Sequence, residues 1–401
     1  LPVADLGRAR RPLMERDAVL AAFRAAAGHH AETAAFAPGR VNLIGEHTDY
    51  NEGFVLPAAV DRGVAIAARR LPGDTFTLHA LDLGQRCTFS RARPARDPAH
   101  PWADYFKGVV WALGQEGFEV PACEAAVTGD LPRGAGLSSS AAYEVAAALV
   151  LRALGALPLA SLDVAKLARA AENGFVGVAC GIMDQMASTF GAAGRALLLD
   201  CRSLAHQAVE LPAGLEIVVV GSGVHHALAS SEYNQRRAEC EAGVRILSSL
   251  RAGIRSLRDV EPEDEARFFP QLPPVVRKRC RHVVSENARV LEAVKAMRGG
   301  DRVRLKTLMA ASHFSLRDDY EVSCPELDVL VDLALAHPAC HGARLTGAGF
   351  GGSTVNLVDA AAVDAFSAAV AAGYRARTGR PAEISVFRPS PGARLLYFGS
   401  P

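Results

Sequence analysis

Lysine is scarce in this chain, paired cysteine spacings are missing and no long apolar run occurs, and each absence excludes something. Lysine stands at five positions only (107, 166, 278, 295 and 306), so nearly all of the 44 basic residues are arginine. Against them stand 43 acidic residues, which leaves a formal charge of +1 and no run of like charge that could form a tail. Such a chain has no global field with which to recruit nucleic acid or an anionic membrane. No apolar stretch reaches the roughly 20 residues of a membrane-spanning helix. The N-terminus mixes Asp5, Glu15 and Asp17 with its arginines, unlike a signal or transit peptide. The eight cysteines (87, 123, 180, 201, 240, 280, 324 and 340) include no C-x-x-C and no nearby histidine pair at ligand spacing. That argues against zinc and against a disulfide framework, and the thiols read as reduced core residues of a cytoplasmic protein. His29-His30 and His225-His226 match no metal spacing either and read as solvated surface.

What is present suits a soluble globular enzyme whose partners sit in a pocket: 401 residues, 50% hydrophobic and 22% charged. The first half reads as mixed α and β, with a helix from Arg11 to about Ala27 and strand-like pieces at Phe54 to Val60, Val64 to Ala68, Thr75 to His79 and Cys123 to Thr128. Helices dominate the second half, at about 228–250, 274–297 and 302–314, and the soft boundary near residue 205 divides the chain into domains 1–205 and 206–401.

One stretch organises the rest. Gly134-Ala135-Gly136-Leu137-Ser138-Ser139-Ser140-Ala141-Ala142 joins a glycine-rich turn to a hydroxyl-rich helix start, and Val145 to Leu151 behind it is apolar on every face. A buried helix must still satisfy its first N–H groups, which carry roughly half a positive charge, so either a serine caps them or an anion such as phosphate does. No Gly-Lys-Ser/Thr follows, so a nucleotide held here is held without a P-loop lysine.

Two further stretches carry chemistry. Glu46-His47-Thr48-Asp49-Tyr50-Asn51-Glu52-Gly53 is an unbroken polar run between two apolar strands, which fits either a surface hairpin or a set of groups for a ligand with several hydroxyls. Asp184, after Gly177 to Gly181, is either a helix N-cap or a catalytic carboxylate on a rigid loop. Leu345-Thr346-Gly347-Ala348-Gly349-Phe350-Gly351-Gly352 looks at first like a dinucleotide loop, but Ser353 to Val358 behind it reads as a strand where that motif needs a helix. It is therefore expected to be a glycine hairpin passing close to another backbone or to a ligand.

Taken together, Arg40 to Asn51, Leu131 to Ala142 and Leu345 to Gly352 resemble the three motifs of the GHMP small-molecule kinases. The block from Gly39 to Asn51 is similar to the galactokinase signature, and Gly181-Ile182-Met183-Asp184-Gln185 resembles that family's catalytic loop. The resemblance covers nearly the whole chain. It implies an α+β, two-lobed fold, with an N-terminal domain like the second domain of a small-subunit ribosomal protein, a C-terminal ferredoxin-like domain and the site in the cleft between them. It implies ATP-dependent phosphorylation of the C1 hydroxyl of galactose, with Asp184 as the candidate base and Arg40 beside it to stabilise charge. Glu46, His47, Asp49, Gly181, Asp184 and Tyr233 would hold the sugar. Gly134, Ala135, Gly136, Leu137, Ser138, Ser139 and Ser140 would wrap the triphosphate, Trp102 would flank adenine, and Ser140 and Glu172 would ligate Mg²⁺. The implied partners are galactose and ATP, with no nucleic acid and no membrane, in a monomer or weak homo-oligomer.

Ala135 and Ala142 depart from the pattern, standing where a glycine and a serine are frequent. The rivals are a kinase for N-acetylgalactosamine or another sugar such as arabinose, and a galactose- and ATP-sensing regulator without catalysis. Relatives of the second kind lack a Ser-Ala step that is present here at Ser140-Ala141. A mevalonate- or homoserine-type kinase would lack the Glu46 to Asp49 block.

Overall fold

The computed structural model describes residues 15–132, 134–224 and 229–399. The strands of the first half are β1 (Thr33–Asn42), β2 (Phe54–Val55), β3 (Pro57–Arg70), β4 (Thr75–Ala80), β5 (Gln85–Ser90), β6 (Cys123–Gly129) and β7 (Arg195–Asp200). Those of the second are β8 (His206–Glu210), β9 (Leu215–Gly221), β10 (Cys340–Thr346), β11 (Ser353–Asp359), β12 (Glu383–Phe387) and β13 (Arg394–Phe398). The helices are α1 (Arg16–Ala27), α2 (Asp104–Gln115), α3 (Ser139–Gly155), α4 (Ser161–Ala171), α5 (Met183–Phe190) and α6 (Ala229–Leu250). After them come α7 (Glu265–Phe268), α8 (Pro274–Gly299), α9 (Arg302–Asp318), α10 (Pro325–Ala336) and α11 (Val363–Thr378).

Strands β13, β1, β3, β6, β4 and β5, in that spatial order, form a sheet that is antiparallel except where β4 runs parallel to β6. The side-chain period of two sorts its residues to two covered faces. Ala34, Phe36, Ala65, Ala67 and Ala126 meet Val19 and Phe23 of α1, whereas Ala35, Ala37, Ile66, Ala68, Ala125 and Val127 meet α2 and α3. Small side chains on the sheet let α3 lie close, which is why that helix is buried from Ala141 through Leu151. Strand β3 passes straight through Asp61-Arg62-Gly63, where the sequence suggests a break between two strands. Gly63 lies so close to Ala37 that a Cβ would overlap its carbonyl oxygen, so the glycine is a packing requirement and not a turn.

A second, antiparallel sheet runs β10, β11, β9, β12, and a third runs β2, β7, β8. Strands β5 and β8 have no counterpart in the sequence reading, because their exposed positions obscure the alternation. One hydrophobic cluster joins the first half to the second: Val41, Ile44, Leu56 and Leu137 pack with Ile217, Val219, Val290, Leu308 and Met309. Strand β13 returns to pair with β1, so the last strand lies in the first sheet. The site loops leave the ends of β1 and β10 across this shared core. Replacing Leu151, fully buried among α2, α3 and the sheet, with alanine is expected to cost about 2–5 kcal/mol in urea denaturation of the ligand-free protein.

Candidate active site

At the head of α3 the chain adopts left-handed backbone at Gly134, Gly136 and Ser138. Ser138 occupies the N-cap position but makes no capping hydrogen bond; its hydroxyl donates to Oδ2 of Asp184. The simple cap is therefore not what the serines do. The first N–H groups of α3 stay open, with Ser139 exposed, and a loop of alternating left-handed residues in front of an open helix terminus suits a phosphate.

Asp184 lies in the first turn of α5, where Ile182 holds the cap position, so the capping alternative for Asp184 fails as well. Arg40, at the end of β1, grips it bidentately, Nε to Oδ1 at 2.7 Å and Nη2 to Oδ2 at 2.8 Å. The third nitrogen, Nη1, donates to the Gly136 carbonyl at 2.6 Å and ties the pair to the phosphate loop. Burial opposes charge on Arg40, yet Asp184, Glu46 and Asp49 more than offset it and raise its pKa. Removing either partner of such a buried pair typically costs about 3–5 kcal/mol.

The polar run after β1 is not a surface hairpin: Glu46, His47, Thr48 and Asn51 are all buried. The helix α8 holds both ends, with Glu286 accepting from Gly45 N–H and Asn287 accepting from Phe54 N–H, each at 2.9 Å. Thr48 closes the loop by donating to the carbonyls of Gly45 and Phe54. Glu46 pairs with the fully buried Arg344 of β10 at 2.7 Å, and Arg344 also donates to the Asn42 carbonyl. Burial still pushes the Glu46 carboxyl above its ordinary range, against Arg344 and Arg40. Both ring nitrogens of His47 are engaged, Nδ1 by Tyr50 and Nε2 by the carbonyl of Ala348. Burial, helped by His282, holds its pKa down to about 3, so the ring is neutral. Asp49 is pushed up to about 7 by burial and then by Asp184. Gly181 packs on Asp49, and a Cβ there would overlap its carboxylate.

Arg40, Glu46, His47, Asp49, Asp184 and Tyr233 all line one cleft of about 230 Å³, with Gly347 and Ala348 of the glycine hairpin on its rim. That is slightly under the usual range for ligand pockets, about 300–1,000 Å³, and favours something as small as a monosaccharide. Glu172 lines it too, from a single wide turn after α4. Gln185 Nε2 donates to Glu172 at 2.7 Å, and the nearby Ser140 hydroxyl opposes the rise of its pKa. Burial and then Asp184 raise the Glu172 carboxyl. Beneath it Glu144 is fully buried with neither oxygen hydrogen-bonded, and is raised by burial and by Glu172. Hard oxygen donors crowded with negative charge fit a cation such as Mg²⁺. Trp102 does not line the cleft; it precedes α2, packs on the first core and leaves its indole N–H buried without an acceptor.

Comparison with known proteins bears directly on this arrangement. Residues 21–70 match the galactokinase galactose-binding signature, 104–192 the GHMP kinases N terminal domain and 292–376 the GHMP kinases C terminal domain. The galactokinase of Chloroflexus aurantiacus is 47% identical over 385 residues, spanning 96% of this chain and 99% of the relative. That of a Roseiflexus species is 48% identical over 365 residues, 91% of this chain and 93% of the relative. The chain belongs to the galactokinase family. The crystal structure of Lactococcus lactis galactokinase complexed with galactose superposes with a TM-score of 0.90 at 35% identity, covering 94% of this chain and 99% of that one. Methanococcus jannaschii mevalonate kinase, at 18% identity and a TM-score of 0.63, shares the fold alone. The α+β, two-lobed GHMP architecture expected from the sequence is the one observed.

The sequence motifs miss several partners: Arg344 behind Glu46, Gln185 on Glu172, and Tyr50 and Ala348 on His47. Gln185, Tyr50 and Ala348 lie inside the motif blocks, and Arg344 directly precedes one, so a search for polar neighbours of each motif carboxylate would have raised them. His225-His226 and the start of the helix at 228 lie outside the described residues.

Gly181→Ala is expected to raise KM for galactose at least about tenfold while leaving KM for ATP within about twofold, since the atoms nearest the new Cβ all belong to Asp49. A second expectation concerns pH. The Asp49 pKa is raised in the folded state from 3.8 to about 7, so its ionisation penalty grows as pH rises between those values and is flat above. Asp49→Asn should therefore raise the Tm of ligand-free protein at pH 8 with little gain at pH 4, while galactose affinity falls.

Proposed function

We propose that the protein transfers the γ-phosphoryl group of ATP to the C1 hydroxyl of galactose, giving α-D-galactose 1-phosphate and ADP, between a lobe of residues 1–205, which β8 and β13 join, and one built from the rest of residues 206–401. The observation that carries this reading is the position of the Arg40–Asp184 pair, which faces the cleft beside Glu46, Asp49 and Tyr233 and is bonded to the phosphate loop through Gly136 and Ser138. A carboxylate has about four acceptor sites. Arg40 and Ser138 occupy one on Oδ1 and two on Oδ2, so one site on Oδ1 is left for the sugar hydroxyl. Asp184 thus orients the C1 oxygen in line with the phosphorus and accepts its proton as the new bond forms. Phosphoryl transfer requires mainly such positioning and charge stabilisation.

Glu46, Asp49, Gly181 and Tyr233 meet the remaining hydroxyls, Glu46 and Asp49 by accepting from them. His47, whose nitrogens are both engaged, contributes through its backbone and the shape it gives the loop. The backbone N–H groups from Gly134 to Ser140 hold the phosphates, and Trp102 flanks adenine, a role supported by an indole N–H that has no acceptor among the described residues. Ser140 and Glu172 would hold Mg²⁺, which supplies charge neutralisation on the phosphates when bound.

The test is ADP formation from ATP with galactose, N-acetylgalactosamine and glucose. Galactose should support turnover and glucose should not, and Asp184→Ala should lower kcat about 10²–10⁴-fold with a smaller change in KM. Near-normal turnover in that variant would remove Asp184 from the chemistry.

A further inference from the structure

Behind the cleft lies a polar chain that the proposed mechanism leaves unused. His47 Nε2 is 3.2 Å from the Ala348 carbonyl, His47 Nδ1 is 2.9 Å from the Tyr50 hydroxyl, the Tyr50 and Tyr320 hydroxyls are 2.8 Å apart, and Cys240 Sγ is 3.1 Å from the Tyr320 hydroxyl. Only one direction of donation is possible along it. A carbonyl can only accept, so Nε2 carries the hydrogen, and the neutral ring then presents a bare Nδ1. Tyr50 must donate to Nδ1, which leaves its oxygen to accept from Tyr320, whose own oxygen accepts from the Cys240 thiol.

We propose that Tyr320, acting through Tyr50, is a positioning residue for sugar recognition: its hydroxyl holds Tyr50 turned to donate to His47 Nδ1 and thereby fixes the orientation of that ring and the shape of the loop from Glu46 to Asp49. This rests on the reading that the loop holds the sugar. The packing agrees with the hydrogen bonds. Tyr320 is fully buried, and its ring lies 4.7 Å from that of His47 and 4.5 Å from that of His282. His282 in turn reaches the Glu46 carbonyl at 3.1 Å, so one tyrosine braces the two imidazoles that secure residues 46 and 47. Arg236 Nε holds the Tyr320 carbonyl at 2.7 Å, which fixes the brace from α6. The loop needs holding, because His47 sits in left-handed backbone at a φ of 61°. Tyr233 packs against the rings of His47 and Tyr50 at 5.5 and 5.3 Å, so a shift in either reaches a residue lining the cleft.

The chain touches the sugar loop and the rim of the glycine hairpin, and the Arg40–Asp184 pair lies outside it. Its loss should therefore appear in sugar binding and not in the chemical step. The experiment compares Tyr320→Phe, Tyr50→Phe and the double variant in the full-length protein, with steady-state kinetics for galactose and for ATP. Each single variant is expected to raise KM for galactose about three- to tenfold, with kcat and KM for ATP within about twofold. The double variant should be no worse than the worse single one, since both break the same chain. An unchanged KM for galactose in a folded Tyr320→Phe, an equal rise of KM for both substrates, or additive effects of the two substitutions would overturn the proposal. Should Tyr320→Phe fail to fold, Tyr50→Phe decides by the same criteria. Asp49→Asn is run alongside: if it leaves KM for galactose unchanged, the placement of the sugar in this loop fails, whatever the tyrosines do.

Discussion

Five carboxyl groups, Glu46, Asp49, Glu144, Glu172 and Asp184, are drawn together around one cleft, and two buried guanidinium groups, Arg40 and Arg344, keep the arrangement folded. Each carboxyl has lost water, and several feel one another, which is why Glu46, Asp49, Glu144 and Glu172 all hold their protons more tightly than in solution. Desolvation of such a cluster opposes folding, and the two arginines return part of that cost. What offsets it is the apolar cluster that joins β1, the phosphate loop, α8, α9 and the second sheet.

The unbalanced charge also determines what the cleft is able to do. Arg40 connects β1, the loop before α3 and α5 through three hydrogen-bond donors, so Asp184 and the backbone at Gly136 cannot move independently. The cleft thus sets Arg40, beside the open end of α3, together with Glu172, so donors that suit an anion and a carboxyl group that suits a cation or a proton line one cavity.

Much of this was legible in the sequence. The helices α3 and α8 and the short strand β6 could be read from the placing of apolar residues along the chain, and the motif blocks at Arg40 to Asn51, Gly134 to Ser140 and Gly181 to Gln185 fall at the cleft or on the loop before α3. The errors share one cause, that local patterns cannot report distant partners. The strand-like pieces 54–60 and 64–68 read as separate because Ala37, whose closeness requires Gly63 between them, is 26 positions upstream of that glycine. The run from Glu46 to Asn51 could be read as surface because the groups that satisfy it, Glu286, Asn287 and Arg344, belong to α8 and β10. Asp184 and Ser138 could each be read as a cap because nothing in either neighbourhood shows that they bond to each other.

The two loops that carry the chemistry also carry the unusual backbone. His47 and Ser138 are non-glycine residues at φ of 61° and 54°, one in the sugar loop and one before α3. Such conformations are costly and persist only where the surroundings over-determine them. For Ser138 the hold is Asp184, reached across from α5; for His47 it is Ala348 and Tyr50. Both holds come from elsewhere in the fold, so the geometry of each loop is a property of the assembled molecule. The sugar-loop strain is released if the glycine hairpin moves away, and the phosphate-loop strain is released if Asp184 does. Loops of this kind keep their shape only while the two halves remain packed on their common core, and the cluster around Val41, Leu137, Val219 and Val290 that joins those halves is apolar throughout.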